Sequence, residues 1–327
     1  MARRDTIDPS LDPSLRAVPV DQYARSPAPA RGRGPRLWAL RGRLTPYLFL
    51  SPFLVLFVFF LFVPLLYALG LSLFADRLVG GQVFVGLDNF RRAAHDPSFW
   101  SGAKRMLVFG AFQVPLMLGL ALTFALVLDA GTVWLRRLFR LAFFLPYAVP
   151  SVVAVLMWGY LYGGTFGPFA QLADRFGFSA PGFLTPQWML ASVANVVTWE
   201  YTGYNMIIMY AALQAVPREL YEAAAIDGAS GWQVARRVKI PLIAPALVLT
   251  TVFSIIGTLQ LFNEPQIMSK VAPEVIGSDY TPNLYAFSLA FRNQQFNYAA
   301  AVSFLLGAVT FVGSYLFMFL ATRRRRA

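Results

Sequence analysis

Polar side chains recur at helical spacing in and just after an apolar stretch of the chain. Between Thr250 and Glu264 they stand three or four residues apart, so at about 100° per residue they share an arc of about 120° on one helix face. These residues are Thr250, Ser254, Gly257, Gln260 and Glu264. Hydroxyl, amide and carboxyl groups on one face can hydrogen-bond a polar solute where lipid is excluded. The pattern predicts one wall of a polar cavity.

Two further apolar segments carry stripes of the same kind. One stripe spans about 80° and the other about 60° of a helix, and they consist of Asn195, Thr198, Thr202 and Asn205, and of Ser303, Gly307, Thr310 and Ser314. Small polar side chains also hold membrane helices together. We favour that packing role for the later stripe, and we count Asn205 among the candidates for the solute path.

Glu200 is the one acidic residue placed well inside a predicted span. It falls on the face opposite the stripe that contains Asn205, and Tyr204 lies one turn further on. A carboxyl group at membrane depth is by default a functional hypothesis. Glu200 could hydrogen-bond a hydroxyl of the substrate or pair with an arginine of a partner chain. If its helix ends earlier, Glu200 lies near an interface instead.

The elements that carry these residues are apolar helices. Of the 327 residues, 57% are hydrophobic and 13% charged, whereas soluble domains carry about 25% charged residues. A membrane span needs about 20 mostly apolar residues. Six segments qualify, so we predict an all-α integral membrane protein with spans at Tyr47–Phe74, Leu107–Leu128, Leu141–Leu161, Trp188–Leu213, Pro241–Phe262 and Tyr298–Ala321.

The basic residues orient these spans. Most of the 28 lysines and arginines lie before the first span, between spans two and three, between spans four and five, or after the last span. The positive-inside rule therefore places both termini in the cytoplasm. The net charge of +12 follows from this rule and does not indicate nucleic-acid binding. We predict a disordered basic cytoplasmic tail at 1–44 and a membrane domain at 45–327.

Several kinds of chemistry are excluded by what the chain lacks. It has no cysteine and a single histidine, His95, so we expect no metal site. It contains no H-E-x-x-H or G-x-S-x-G motif and no phosphate-binding P-loop. We therefore expect a transporter without catalytic residues, which binds no cofactor and cannot hydrolyse ATP itself.

The stretch 217–241 differs from the spans on either side of it. It is rich in alanine, carries both signs of charge and contains Gly228 and Gly231. Glu219 and Glu222 suit the first turns of a helix, and Gly228 ends that helix or admits a close partner. We predict two short cytoplasmic helices, the second at about Ser230–Val238. The alternative is a hairpin that merely connects two spans.

The order of residues in this stretch resembles the EAA loop of binding-protein-dependent ABC importer permeases. The matching pattern is Glu222-Ala223-Ala224, Gly228, Val238, Ile240 and Pro241. The flanking "LQAVPRELYEAAAIDGAS" looks like the carbohydrate branch, which includes the maltose-type membrane subunits. "GLDNFRRAAHDPSFW", "LAFFLPYAVPSVVAVLMWGYLY" and "FNYAAAVSFLL" are similar to other parts of that branch. We name residues 217–241 the EAA segment.

The resemblance implies a type I ABC importer permease in the bacterial inner membrane. It implies a second, similar permease, a cytoplasmic ATPase dimer that uses ATP and Mg²⁺, an extracytoplasmic solute-binding protein and surrounding lipid. The ATPase would dock on the EAA segment at Glu222, Ala223, Ala224, Gly228 and Pro241. The expected cargo is a sugar or oligosaccharide. The alternatives are a polyol or glycerol phosphate as cargo, or a secondary transporter that works alone.

Overall fold

A computed structural model describes residues 37–77, 80–131 and 134–323. The predicted disordered tail lies outside these residues up to position 36. Helix α1 begins at Leu37, before the expected domain boundary at Thr45, in a stretch free of proline from Arg36 to Thr45. The chain divides into two compact units between Val63 and Pro64.

The first unit contains helix α1, Leu37–Phe57, and a π-helical turn, Val58–Phe62. The wider turn lets the backbone N–H of Val63 donate to the oxygen of Val58, five residues back. Such turns are usually short interruptions of longer α-helices.

The remaining elements, almost all of them helical, lie in the second unit, apart from Val63, the first residue of α2. In chain order these are α2 Val63–Ser72, β1 Phe74–Arg77, β2 Gly81–Phe84, α3 Asp88–Ala94, α4 Pro97–Asp129, α5 Arg136–Ala148, α6 Ser151–Leu161, α7 Pro168–Arg175, α8 Met189–Gln214, α9 Glu219–Ile226, α10 Gly231–Val234, α11 Ile240–Leu242, α12 Ala244–Leu259, α13 Asn263–Val271, α14 Pro282–Phe287 and α15 Phe296–Arg323. Two more π-helical turns lie at Ala235–Lys239 and Ser288–Arg292.

The expectation of an all-α chain needs one small correction. Strands β1 and β2 form an antiparallel hairpin, with Phe74 opposite Phe84 and their rings edge to face at 5.4 Å. The side-chain amide of Asn89 donates to the backbone oxygens of Ser72 and Phe74, at 2.9 and 2.7 Å. This pair of bonds anchors the hairpin to α3.

Three helical stretches are long and apolar enough to cross a membrane: Thr45–Ser72, Pro97–Asp129 and Phe296–Ala321. Two bent helix pairs would raise the number to five. Helix α8 has 26 residues but is too polar to be counted on composition. Among the described residues, three to five spans are thus supported rather than the predicted six.

The predicted third span, Leu141–Leu161, is not one straight helix. Helices α5 and α6 meet at a bend of 94°. Val149, the residue before Pro150, is extended, with φ −76° and ψ 128°. A residue before proline avoids the helical region because the proline ring crowds it, so the helix breaks here.

The predicted fifth span, Pro241–Phe262, is also interrupted. The helical path from Gly231 to Leu242 meets α12 at a bend of 69°, and Pro245 lies in the first turn of α12. Helix α12 ends at Leu259, so Gln260 to Phe262 form a turn before α13. This turn places polar residues at a helix end instead of along a regular helix face.

Helix α8 is the centre of the packed core. Its Gly203 meets α5 so closely that an added Cβ would lie 1.7 Å from the backbone oxygen of Phe143. Helix α4 lies against α8 and also receives α12, where Gly110 faces the methyl group of Thr258. The packing of these helices brings polar residues of α4, α8, α12 and α13 close together.

The N-terminus of α4 is joined to α14 and α15 by Asp96. Its carboxylate accepts hydrogen bonds from the backbone N–H of Ser98, the hydroxyl of Tyr285 and the hydroxyl of Tyr298, at 2.9, 2.7 and 2.5 Å. Asp96 is therefore the N-cap of α4, with Pro97 in the first turn. His95 is exposed, and its Nδ1 lies 2.9 Å from the oxygen of Arg91.

Candidate functional site

A cavity of about 270 Å³ lies between α4, α8, α12 and α13. Residues from all four elements, and from the turn between α12 and α13, form its wall. They are Gln113, Met117, Val197, Tyr201, Tyr204, Asn205, Phe253, Ser254, Gly257, Thr258, Gln260, Leu261, Phe262, Asn263 and Glu264. We call this space the central cavity. Its mixture of apolar surface and converging polar groups is typical of a ligand site.

Five of the seven residues predicted for the solute path line this cavity: Asn205, Ser254, Gly257, Gln260 and Glu264. Thr250 does not line it. Its side chain is fully buried, and its hydroxyl lies 3.0 Å from the backbone oxygens of Ala246 and Leu247. The cavity contacts the C-terminal half of α12, from Phe253 onward, and Thr250 lies about one turn closer to the helix N-terminus than Ser254.

The seventh residue, Glu200, lies behind the cavity wall. It is 4% exposed, and within the described part of the chain neither carboxyl oxygen has a hydrogen-bond donor. Glu264, which does line the cavity, is also 4% exposed and lies close enough to Glu200 for the two carboxyl groups to interact electrostatically. Two buried carboxyl groups from α8 and α13 therefore face one another.

Gln113 is a cavity residue that the stripe analysis missed. It is 2% exposed, and its amide nitrogen lies 3.3 Å from the hydroxyl of Thr198. Its Oε1 atom is buried without a donor among the described residues. Gln113 is the only amide side chain in the apolar run Leu107–Leu128. That isolation was a usable signal, but a single residue forms no stripe.

Tyrosines supply the aromatic part of the wall. Tyr201 and Tyr204 line the cavity. The ring of Tyr147, from α5, stacks on Tyr204 with centroids 4.7 Å apart and meets Tyr201 edge to face at 5.8 Å. Gly203 lets α5 approach closely enough for these contacts. The rings offer flat apolar faces beside hydroxyl groups, which suits a ligand with both kinds of surface.

The rest of the α8 stripe lies elsewhere. Asn195 donates to the hydroxyl of Tyr162 at 2.7 Å and lines a separate, mainly aromatic cavity of about 380 Å³. The hydroxyl of Thr202 donates to the oxygen of Thr198 in its own helix. The stripe on α15 faces α12, where Gly307, Thr310 and Ser314 line a cavity of about 350 Å³ together with Val252, Ile256 and Gln260. The packing role that we favoured for this stripe stays a prediction.

The EAA segment is built largely as predicted. Helix α9 ends before Gly228, whose φ of +79° is easily adopted only by glycine. Ser230 and Gln233 then form a reciprocal capping box. The second helix was predicted at Ser230–Val238, but α10 ends at Val234 and a π-helical turn, Ala235–Lys239, follows.

The outer face of this segment is open. Glu222, Ala223, Gly228 and Pro241 are exposed, and Ala224 is half-buried. Large apolar side chains are exposed beside them: Leu220, Ile226 and Trp232. Small residues next to exposed apolar ones form a surface that a partner protein can cover.

An ion pair fixes the inner face. The ammonium group of Lys239 lies 2.5 Å from one carboxylate oxygen of Asp129, at the end of α4, and the amide of Gln214 donates to the other at 2.7 Å. Both charged side chains are largely buried. Lys239 also lies 4.6 Å from the ring of Tyr221. Burial, then the charge of Asp129, raises the pKa of Tyr221. These contacts join the EAA segment to α4 and α8.

Comparisons with known proteins agree with these features. The chain is 36% identical to the lactose transport system permease protein LacF of Rhizobium radiobacter, over 86% of this chain and 94% of LacF. It is 29% identical to the arabinooligosaccharides transport system permease protein AraP of Bacillus subtilis, over 89% of this chain and 92% of AraP. A bacterial ABC transporter chain involved in alginate import shares the fold, with a TM-score of 0.75, 21% identity and coverage of 88% and 99%.

The family match covers the central cavity from Met117 onward and the whole EAA segment. It extends over residues 117–326 and is described as the binding-protein-dependent transport system inner membrane component. The chain belongs to this family of multi-pass inner-membrane permeases.

Proposed function

We propose that this chain is a permease subunit of an ATP-driven importer, that its cargo is a sugar or oligosaccharide, and that the cargo passes through the central cavity by alternating access. One observation carries the proposal: uncharged hydroxyl and amide groups converge with tyrosine faces in the core of a chain related to the lactose permease LacF. A sugar ring has hydroxyl groups on its rim and apolar C–H faces, so it can use both kinds of wall.

The membrane arrangement completes the proposal. Each bent pair serves as one span, and α8 is the remaining span, which gives six with both termini in the cytoplasm. The polar side chains of α8 do not forbid a span, because Asn205 and Glu200 are buried against protein. Polar groups at membrane depth are tolerated when they face the interior of a helix bundle.

The EAA segment is the proposed docking site of a cytoplasmic ATPase dimer, which supplies the ATP and Mg²⁺ chemistry. Glu222, Ala223, Ala224, Gly228 and Pro241 would form the joint, supported by their exposure next to Leu220 and Ile226. A second permease and an extracytoplasmic solute-binding protein complete the assembly. Movement of the docked segment would reach α4 through Lys239 and Asp129.

Purification of the chain from its native membrane in mild detergent tests this proposal. We expect a P-loop ATPase and a second permease to co-purify, and proteoliposomes of the complex with its solute-binding protein to take up labelled lactose or arabino-oligosaccharide only with ATP. Ala223→Trp should release the ATPase. Ala94→Trp, at an exposed alanine of α3, is the matched control. A chain that purifies alone and moves solute without ATP would support a secondary transporter.

A further inference from the structure

The polar groups that line the central cavity are amides, hydroxyls and one carboxyl group. Gln113 and Asn205 each use amide N–H groups on protein partners, Thr198 and the backbone oxygen of Tyr201 respectively. The Oε1 atom of Gln113 is left without a donor among the described residues. Of the residues that line the cavity, none is a lysine or an arginine. The wall therefore offers no cation to an anionic ligand, whereas Glu264 contributes a carboxyl group to it.

Two glutamates lie at this cation-free wall, Glu264 in it and Glu200 behind it. Ionised carboxyl groups only accept hydrogen bonds, so Glu200 and Glu264 cannot satisfy one another unless a proton lies between them. Both are 96% buried, in an environment in which charge is weakly screened. A hydroxyl or ammonium group that enters beside Glu264 would supply the missing donor. A carboxylate or phosphate that enters there would add another acceptor and a like charge.

We propose that Glu200 and Glu264 make this path select by charge: neutral or amino sugars are admitted, and anionic sugars are rejected. This inference rests on the proposed function. It distinguishes the chain from its fold relative, which is involved in the import of the acidic polysaccharide alginate. Glu264 acts directly because it lines the cavity. Glu200 acts through Glu264 as a positioning residue, because it lies behind the wall.

Equilibrium binding to the purified permease–ATPase complex tests the charge rule. The solute-binding protein is omitted, so that the selectivity measured belongs to the membrane complex. The probes are lactose, lactose oxidised to the uronic acid at C6 of galactose, and lactose with an amine in place of one hydroxyl; arabinobiose and its acidic counterpart form a second set. The variants are Glu264→Gln and Glu200→Gln, which keep the side-chain shape. Glu274→Gln, on an exposed loop, is the matched control.

We expect the wild-type complex and the control to bind the acidic probe about tenfold or more weakly than the neutral one. Glu264→Gln should bring the affinities for the acidic and the neutral probe within about threefold of each other. Glu200→Gln should reduce the difference between these two affinities by less. Amine binding should weaken in both variants. Neutral binding that persists in the variants shows that they are folded.

Two results would overturn the inference, and only one of them would also contradict the proposed function. If neutral sugar binds and the acidic-to-neutral ratio is the same in wild type and both variants, the charge rule is wrong while the proposed function stands. If the wild-type complex binds none of the probes, and proteoliposomes of the complex with its solute-binding protein take up none with ATP, the sugar function fails and the charge rule fails with it.

Discussion

The central cavity and the EAA segment are opposite solutions to the placement of polar residues in a membrane protein. The cavity buries Gln113, Asn205 and Glu264 in its wall, and Glu200, behind the wall, is also only 4% exposed. The EAA segment turns Glu222 and Ala223 outward and places Ile226 at 86% exposure. The first region buries its carboxyl groups within the chain, whereas the second has an open face.

The difference predicts where mutations act. A change in the wall of the cavity disturbs the packing on which the fold depends, so its effect should appear as lost stability. A change on the outer face of the EAA segment meets no neighbour, so its effect should appear only when the partner is present. The following variants run from the largest expected change in stability to the smallest.

Gly203→Ala should destabilise the protein most. The new Cβ would lie 1.7 Å from the backbone oxygen of Phe143, so α5 must move away from α8 and Tyr147 must leave the cavity tyrosines. We expect a loss of about 3 kcal/mol or more, seen as little monodisperse protein in size-exclusion chromatography. Gly119→Ala is the matched control, because its Cβ meets nothing within 4 Å. Equal yields of the two variants would contradict the close approach of α5 and α8.

Lys239→Met should have the next largest effect. It leaves Asp129 as a largely buried charge with Gln214 as its remaining side-chain donor. Breaking a buried pair by removing one partner costs about 3 kcal/mol, measurable as a lower thermal midpoint of the solubilised protein. Adding Asp129→Asn should recover much of the loss, because the uncompensated charge is gone. No recovery in the double variant would show that Lys239 acts by packing on Tyr221.

Much of this arrangement was predictable from sequence, and the failures have local causes. Helix α8 and the polar face of α12 follow from composition and spacing, because burial against lipid or protein imposes helical periodicity. Pro150 predicts a bend between α5 and α6, but not its size of 94°, because a proline can kink, break or barely disturb a membrane helix. The neighbouring helices decide which of these occurs.

Part of the candidate site was predictable from the sequence, and part was not. Ser254, Gly257, Gln260 and Glu264 were found because they recur along one element. Gln113 was missed because its partner, Thr198, lies 85 residues away in the chain. The approach of Glu200 to Glu264 is likewise a tertiary contact between α8 and α13. Periodicity within one helix contains no information on which faces meet.

Asp96→Asn should have a smaller effect that depends on pH. Burial alone would raise the pKa of Asp96, but hydrogen bonds from Tyr298, Tyr285 and the backbone of Ser98 and Phe99 outweigh it and lower that pKa below 3.8. Burial and Asp96 together raise the pKa of Tyr285 to about 12, so the tyrosine remains a donor at neutral pH.

A lowered carboxyl pKa stabilises the fold above the unfolded-state value and ceases to do so as the pH falls through the folded-state value. The wild-type protein should therefore keep this stabilisation at pH 5–7 and lose it below about pH 3.8. Asp96→Asn should cost about 1 kcal/mol at pH 6 and show a smaller decline in acid. Thermal midpoints from pH 3 to 7 measure both. If the thermal midpoints of the two proteins change in parallel with pH, Asp96 is not the source of the pH dependence.

Ile226→Ala should leave stability almost unchanged. Its side chain is 86% exposed, and surface substitutions of this kind stay within about 0.5 kcal/mol. If a partner covers this face, however, the same change removes apolar contact area from the interface, so the ATPase should co-purify less. Val234→Ala is the counterpart within the same segment, because Val234 is 8% exposed and packs inward. It should lower the thermal midpoint while the outer face stays intact. If both variants lower stability alike and both retain the ATPase, the EAA segment has no separate docking face, and its contrast with the central cavity disappears.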